Sequence, residues 1–216
     1  MKRLKILIVD DHPLVRSGLV LLINQQRDMK VCGEADDRVA ALAQAAALRP
    51  DVAVVDITLK NSSGIDLVKD LRAHDPKLKS LVLSAHEETL YAERALEAGA
   101  RGYVRKTGDP DDVLAAIRTI ATGRLCVSEA ILDRLLDKKL GGRTDDDDAL
   151  ASLSDRELEV FTLLGEGKCT REVAALLGVS HKTVESYREH IKAKLGLKDS
   201  IALILAAGRH QDSGTR

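Results

Sequence analysis

Cysteine is scarce in this sequence, and the three present are scattered. Cys32, Cys126 and Cys169 lie far apart, with no CxxC and no Cys/His pair at metal-ligand spacing. That argues against a disulfide framework or a zinc module, and the three read as reduced thiols of core or surface. Long hydrophobic runs are missing too. The basic start Met1-Lys2-Arg3-Leu4-Lys5 leads into Ile6-Leu7-Ile8-Val9, which stops at Asp10-Asp11. Such a run is too short for the apolar core of a signal peptide. No other stretch approaches the ~18 uncharged apolar residues of a membrane span, so a cytoplasmic protein without membrane association is expected. Internal repeats are absent. Excess charge of one sign is absent as well: 33 Lys and Arg face 34 Asp and Glu, a net charge of −1. A basic patch can hide inside a neutral total, so this balance neither implies nor excludes nucleic acid.

What is present fits two small domains. The chain has 216 residues, 44% apolar and 31% charged, the composition of a globular protein. Residues 4–9, 30–34, 51–56, 80–84 and 102–105 are short apolar runs rich in Val and Ile, which suits strands covered on both faces. Between and after them, residues 13–26, 38–48, 64–74, 87–98 and 110–122 read as helices, with Pro13 and Pro110 suited to first turns. Five strands alternating with five helices imply a parallel sheet with helices on both faces. Residues 128–139 suit one more helix. The stretch 141–148 holds two glycines, four adjacent aspartates and no apolar residue. Like charges repel and nothing can be buried there, so it reads as a flexible acidic linker, with docking on a basic surface as the alternative. The expected division is 1–123, an α/β domain; 124–150, a helical extension and linker; and 151–216, an all-α domain.

The α/β half gathers reactive residues at its strand ends, where chemistry collects in open parallel sheets. Asp10-Asp11 end the first strand, Asp56 the third and Ser84 the fourth, and Lys106 follows the fifth. Converging carboxylates repel unless a cation sits among them, and an oxygen-only donor set suits Mg²⁺. A lysine and a hydroxyl at the same rim can hold phosphoryl oxygens. Together these residues suit phosphoryl transfer onto a carboxylate.

Asp10-Asp11, Asp56 with Gly64 eight residues later, Leu83-Ser84-Ala85-His86 and Gly102-Tyr103-Val104-Arg105-Lys106 resemble the receiver domain of two-component response regulators, across residues 4–122. The resemblance implies a flavodoxin-like five-stranded sheet in the order 2-1-3-4-5. It implies Asp56 as phospho-acceptor, fed by a histidine kinase. Asp10, Asp11, Asp56 and the main-chain carbonyl of Thr58 would hold the metal, Ser84 and Lys106 the phosphoryl group. Tyr103 would be the aromatic whose rotamer follows phosphorylation; its bland reading is a half-buried ring at a strand edge. The chain departs from many receivers in having Leu59-Lys60 where they carry Met-Pro, so the loop loses a proline and gains a cation.

In the second half, Leu153-Ser154-Asp155-Arg156-Glu157-Leu158 is a capping box with a hydrophobic staple. Helices are expected to about residue 166, from after 170 to before 178, from after 180 to about 195, and over 200–209. Leu177-Gly178-Val179-Ser180 is the short turn of a helix-turn-helix, with Gly a left-handed cap and Ser the next N-cap. At 100° per residue, Val184, Tyr187, Ile191 and Leu195 share one face, with Lys182, Ser186, Glu189 and Ala193 opposite. Residues 181–198 carry five Lys or Arg and two Glu. Arg156-Glu157-Leu158-Glu159-Val160, Leu163-Leu164, Glu172-Val173-Ala174, Leu177-Gly178-Val179-Ser180, Thr183-Val184 and Lys194-Leu195-Gly196 resemble the LuxR-type four-helix DNA-binding domain. Receiver plus LuxR-type domain is the organisation of NarL/FixJ-type regulators. The resemblance implies a third helix in the major groove of double-stranded DNA and a fourth that helps domains pair, hence a homodimer on a two-fold promoter site. Lys182, Thr183, Glu185, Ser186, Arg188, Glu189 and Lys192 are then the candidate DNA contacts. Glu185 stands where the family often has a basic residue, and an acid there accepts from cytosine N4 rather than attracting phosphate.

Two rivals belong to other classes. An aspartyl-phosphate phosphatase or mutase would place a second acid two positions after its nucleophile, where this chain has Thr58. Alternatively the C-terminal helices bind protein rather than DNA, which insensitivity of binding to salt would reveal. The expectation is a regulator that accepts and slowly loses its own phosphoryl group, with no separate substrate to turn over.

Overall fold

Short β-branched runs form the sheet because both of its faces are buried. The computed structural model describes residues 3–60, 62–85, 88–139 and 149–213. It divides into two units, Met1–Leu135 and Leu136–Arg216.

The first unit runs β1 (Leu4–Val9), α1 (Pro13–Asn24), β2 (Met29–Ala35), α2 (Arg38–Leu48), β3 (Val52–Asp56), β4 (Thr58–Leu59), β5 (Ser62–Ser63), α3 (Gly64–His74), β6 (Lys79–Ser84), α4 (Glu88–Ala98), β7 (Gly102–Arg105) and α5 (Pro110–Ala121), and α6 (Glu129–Lys139) spans the boundary between the units. The main sheet is parallel, in the order β2-β1-β3-β6-β7. That is the flavodoxin-like order 2-1-3-4-5 once the small β4–β5 ribbon is set aside. Ile6, Ile8, Val52, Val54, Leu81 and Leu83 meet Leu19, Ile23, Val113, Ile117 and Ile120 of α1 and α5 in one buried cluster. The alternate residues point to the other face, where a Cβ on Gly33 would meet Leu7, Gln44 and Leu48. Alternation along each strand thus supplies two hydrophobic layers from one short sequence.

Both outer strands have part of their polar edge covered. On β2, the Val31 amide donates to Asn24 Oδ1 at 3.0 Å, and the Glu34 carbonyl accepts from the Gln44 side chain. On β7, the residues after α5 return alongside the strand. The Tyr103 amide donates to the Cys126 carbonyl and the Cys126 amide to the Arg101 carbonyl, both at 2.9 Å.

The second unit is helical: α7 (Asp155–Gly165), α8 (Thr170–Leu177), α9 (His181–Leu195) and α10 (Ser200–Ser213). Ser154 caps α7 by accepting from the Glu157 amide, and Glu157 returns the bond to the Ser154 amide at 2.7 Å. Leu158, Phe161, Leu164, Val173, Leu177, Val184, Ile191, Leu203 and Ala207 are buried.

Element boundaries differ from the sequence reading in places. α1 stops at Asn24, two residues early, and the Asn24 side chain accepts from the Val31 amide of β2. β2 gains Met29 and Ala35, which pair with Leu4 and Val9 of β1 across a register shift at Cys32, and α10 continues to Ser213. The β4–β5 ribbon is new; its two-residue arms are too short to show a period. Residue 87 and the acidic stretch 141–148 lie outside the described residues.

Candidate functional site

Strand register assembles the acidic site. Val9 of β1 pairs with Val55 of β3, so Asp10 and Asp56 follow at the same level side by side. Asp56 pairs with Leu83 of β6, and Ser84 pairs with Arg105 of β7. Ser84 and Lys106 are thereby brought to the same rim, where the Lys106 amide donates to the Ser84 carbonyl at 2.7 Å. Asp10, Asp11, Asp56 and Ser84 are 1%, 9%, 3% and 0% exposed. Lys106 Nζ lies 2.8 Å from Asp10 Oδ2 and 2.6 Å from Asp56 Oδ2. The Thr58 amide donates to Asp56 Oδ1 at 3.3 Å. Thr58 itself sits in the ribbon that carries the chain from Asp56 to α3. Gly64 closes that ribbon: a Cβ there would lie 2.0 Å from the Asp56 carbonyl oxygen, so only glycine fits.

The electrostatics leave the site short of positive charge. Burial pushes the Asp56 carboxyl up to about 6; Asp10 adds to the rise, and Lys106 opposes it without cancelling it. Burial lowers the Lys106 ammonium, but the Asp56 and Asp10 carboxylates outweigh it and raise the group overall. One lysine thus serves several carboxylates. Asp10 Oδ2, Asp11 Oδ1 and Asp56 Oδ2 are buried; the first and last share the Lys106 ammonium, and Asp11 Oδ1 makes no hydrogen bond. Buried carboxylate oxygens at this density fit a hard divalent cation such as Mg²⁺.

Two residues at the site escaped the sequence reading. His12 Nδ1 stands 2.8 Å from Asp11 Oδ1, 3.5 Å from Asp10 Oδ1 and 3.9 Å from Asp56 Oδ2. Arg16 Nη1 donates to the Asp10 carbonyl at 2.6 Å. Their signal was adjacency: His12 follows the aspartate pair, and Arg16 lies one helical turn further on. Tyr103 is 2% exposed, more enclosed than a half-buried edge ring.

In the second unit the turn between α8 and α9 is built as its residues require. Gly178 adopts φ 67°, and Ser180 accepts from the Thr183 amide at 3.1 Å. On α9, Val184 and Ile191 are fully buried, while Tyr187 and Leu195 are half-buried. Lys182, Ser186 and Glu189 face solvent, with Thr183 and Glu185 at the margin. Arg188 and Lys192 are more engaged than their charge suggested. Arg188 Nη1 donates to Thr170 Oγ1 at 2.5 Å, tying α9 to the start of α8, and Lys192 pairs with Glu189 at 2.9 Å. Lys168 and Arg171 are further exposed cations around this motif, outside residues 181–198.

Comparison with known proteins agrees with both halves. Residues 6–118 match the family described as response regulator receiver domain, and residues 151–207 match bacterial regulatory proteins, luxR family. The oxygen regulatory protein NreC of Staphylococcus aureus is 34% identical over 206 residues, 93% of this chain and 95% of that protein. The DNA-binding transcriptional activator DevR/DosR of Mycobacterium tuberculosis is 35% identical over 194 residues, 90% of this chain and 89% of that one. Among solved structures, RcsB of Salmonella enterica serovar Typhimurium, bound to promoter rprA with the phosphomimetic BeF3⁻, is similar with a TM-score of 0.63 and 29% identity, covering 96% of this chain and 99% of the other.

Proposed function

Because this chain belongs to the NarL/FixJ-type response regulators, with a receiver domain and a LuxR-type DNA-binding domain, we propose that it takes a phosphoryl group from a histidine kinase on Asp56 and regulates transcription as a homodimer on a two-fold DNA site. The observation that carries this reading is the buried carboxylate cluster around Asp56, with one lysine, Lys106, shared between Asp56 at 2.6 Å and Asp10 at 2.8 Å, and Asp11 Oδ1 left without a hydrogen bond.

In the transfer, the P–N bond of a phosphohistidine breaks and a bond from phosphorus to an Asp56 carboxylate oxygen forms. Asp10, Asp11, Asp56 and the Thr58 carbonyl would hold Mg²⁺, which when bound would supply neutralisation of the charge on the phosphoryl oxygens. Lys106 exchanges its contact with Asp56 for a phosphoryl oxygen, and Ser84 donates to another. Water later returns the carboxylate, so the chain consumes only its own modification and turns over no separate substrate. Tyr103 follows the change at Ser84. The output side reads DNA from the exposed face of α9, through Lys182, Thr183, Glu185, Ser186 and Glu189, with Arg188 and Lys192 on the flank. Solved relatives bound to promoters support this assignment. Such a regulator works in the cytoplasm, where kinase and chromosome meet.

The test is chemical. Acetyl phosphate with Mg²⁺ should label the full-length protein, and mass spectrometry after borohydride trapping should locate the label at Asp56. The labelled protein should protect a promoter site more strongly than the unlabelled one at one fixed salt concentration. Undiminished labelling of Asp56→Asn would overturn the assignment.

A further inference from the structure

We propose that His12 gives the acidic site a nitrogen donor and makes it a binding site for a first-row transition cation such as Zn²⁺, beyond its fit to Mg²⁺. The inference rests on the reading of Asp10, Asp11 and Asp56 as cation ligands. It concerns what the histidine adds to them.

The geometry is that of donors around one centre. His12 Nδ1, one oxygen each of Asp10, Asp11 and Asp56, all lie within 4.8 Å of one another. Ligands about 2.1 Å from a shared ion stand roughly 3 Å apart when adjacent and about 4 Å apart when opposite. The distances from Nδ1 of 2.8, 3.5 and 3.9 Å fall within that span. Lys106 faces Asp10 Oδ2, while His12 faces Asp10 Oδ1 and Asp11 Oδ1, and both approach Asp56 Oδ2, at 2.6 and 3.9 Å. His12 thus meets two carboxylate oxygens, Asp10 Oδ1 and Asp11 Oδ1, with which Lys106 does not pair.

Structure alone gives the histidine no other employment. It occupies the N-cap of α1, a position favouring Ser, Thr, Asp or Asn, yet makes no side-chain capping bond. Its side chain is 60% exposed, so it fills no core. Asp11 Oδ1, its nearest neighbour at 2.8 Å, is buried and has no hydrogen bond. A carboxylate-only pocket prefers hard cations; an imidazole shifts preference toward Co²⁺, Cu²⁺ and Zn²⁺.

The experiment measures metal affinity on the full-length chain, with no phosphoryl donor present. Zn²⁺ affinity is read by competition with a chelating dye, counting only sites that Mg²⁺ displaces. Mn²⁺ bound at the same site is examined by pulsed EPR for nitrogen modulation. Wild type, His12→Gln and Asp11→Ala are compared. Expected results are a nitrogen signal in wild type that His12→Gln abolishes, and a loss of about tenfold or more in Zn²⁺ affinity in that variant, with Mg²⁺ affinity kept within about twofold. Equal Zn²⁺ affinity in wild type and His12→Gln, with Mg²⁺ still bound and still dependent on Asp11, would overturn the role of His12 and leave the phosphoryl-transfer reading standing. Loss of all dependence on Asp11, for both ions, would remove the cation site and the proposal with it.

Discussion

Each unit contains a buried carboxylate beside a lysine at the same distance, and the two pairs behave in opposite ways. Asp56 and Lys106 are 2.6 Å apart, as are Glu157 and Lys194. Asp56 is nevertheless pushed up to about 6, while Glu157 is held below the usual carboxylate range. Burial disfavours the charge in both. Around Glu157 it is outweighed by Lys194 and by the Ser154 amide, which donates to Oε2 at 2.7 Å. Around Asp56 it is not, because Lys106 is shared with Asp10 and the Asp10 charge adds to the penalty. The Glu157 pair is complete and fastens α7 to α9. In the Asp56 cluster one lysine is shared between two carboxylates, so the negative charge outweighs the positive. Distance between partners says little; the count of competing charges decides.

Three experiments would break or sharpen this contrast. The largest effect belongs to Asp56→Asn. A carboxyl raised from 3.8 to about 6 costs the folded receiver roughly 2–3 kcal/mol at neutral pH. In metal-free buffer at pH 7.5 the variant should therefore gain roughly 2 kcal/mol, read by hydrogen exchange of the β1 and β3 amides. A loss of stability would show that the cluster is already satisfied. Next comes Glu157→Gln, which leaves Lys194 without its partner and weakens the cap. Lys194 is 38% exposed, so solvent screens part of the loss, and about 1–2 kcal/mol should disappear from the second unit. Urea unfolding followed by exchange of the α7 and α9 amides measures it, and an unchanged midpoint would make the pair ornamental.

The smallest effect is a difference in acid response. Asp56 is raised in the folded state, so its contribution to stability is full below the unfolded value of 3.8 and is lost as pH rises through about 6. Glu157 is lowered from 4.5, so its contribution is present above that value and is lost as pH falls through its folded one. On acidification from pH 7 the receiver should first gain stability through Asp56, whereas the second unit should lose it below about pH 4.5 through Glu157. Residue-resolved exchange across that range separates the two. Parallel trends that survive in Asp56→Asn and Glu157→Gln would mean other groups govern both units.

Period and punctuation made most of the fold legible in the sequence. Alternating apolar runs with Gly and Pro between them mark β1, β3, β6 and β7 because these strands are buried on both faces, where Val and Ile dominate. Ser154 and Glu157 announce α7, and Gly178 and Ser180 the turn before α9, because caps are local chemistry. The β4–β5 ribbon and the pairing of Cys126 with β7 were not legible; each depends on backbone partners brought by tertiary folding. The same holds within the site. Asp10, Asp11, Asp56, Ser84 and Lys106 could be listed from strand ends, but the reach of His12 to three carboxylates depends on how α1 leaves Asp11. Nor could charge alone reveal that Arg188 is committed to Thr170.

The covered strand edges bear on how copies of this protein can associate. A bare outer strand offers its amides and carbonyls to any passing strand and invites open-ended polymers. Here Asn24 and Gln44 occupy the β2 edge and the Cys126 segment the β7 edge. These contacts take up part of each outer edge, so strand-to-strand extension of the sheet meets partners already in place at Val31, Glu34, Arg101 and Tyr103.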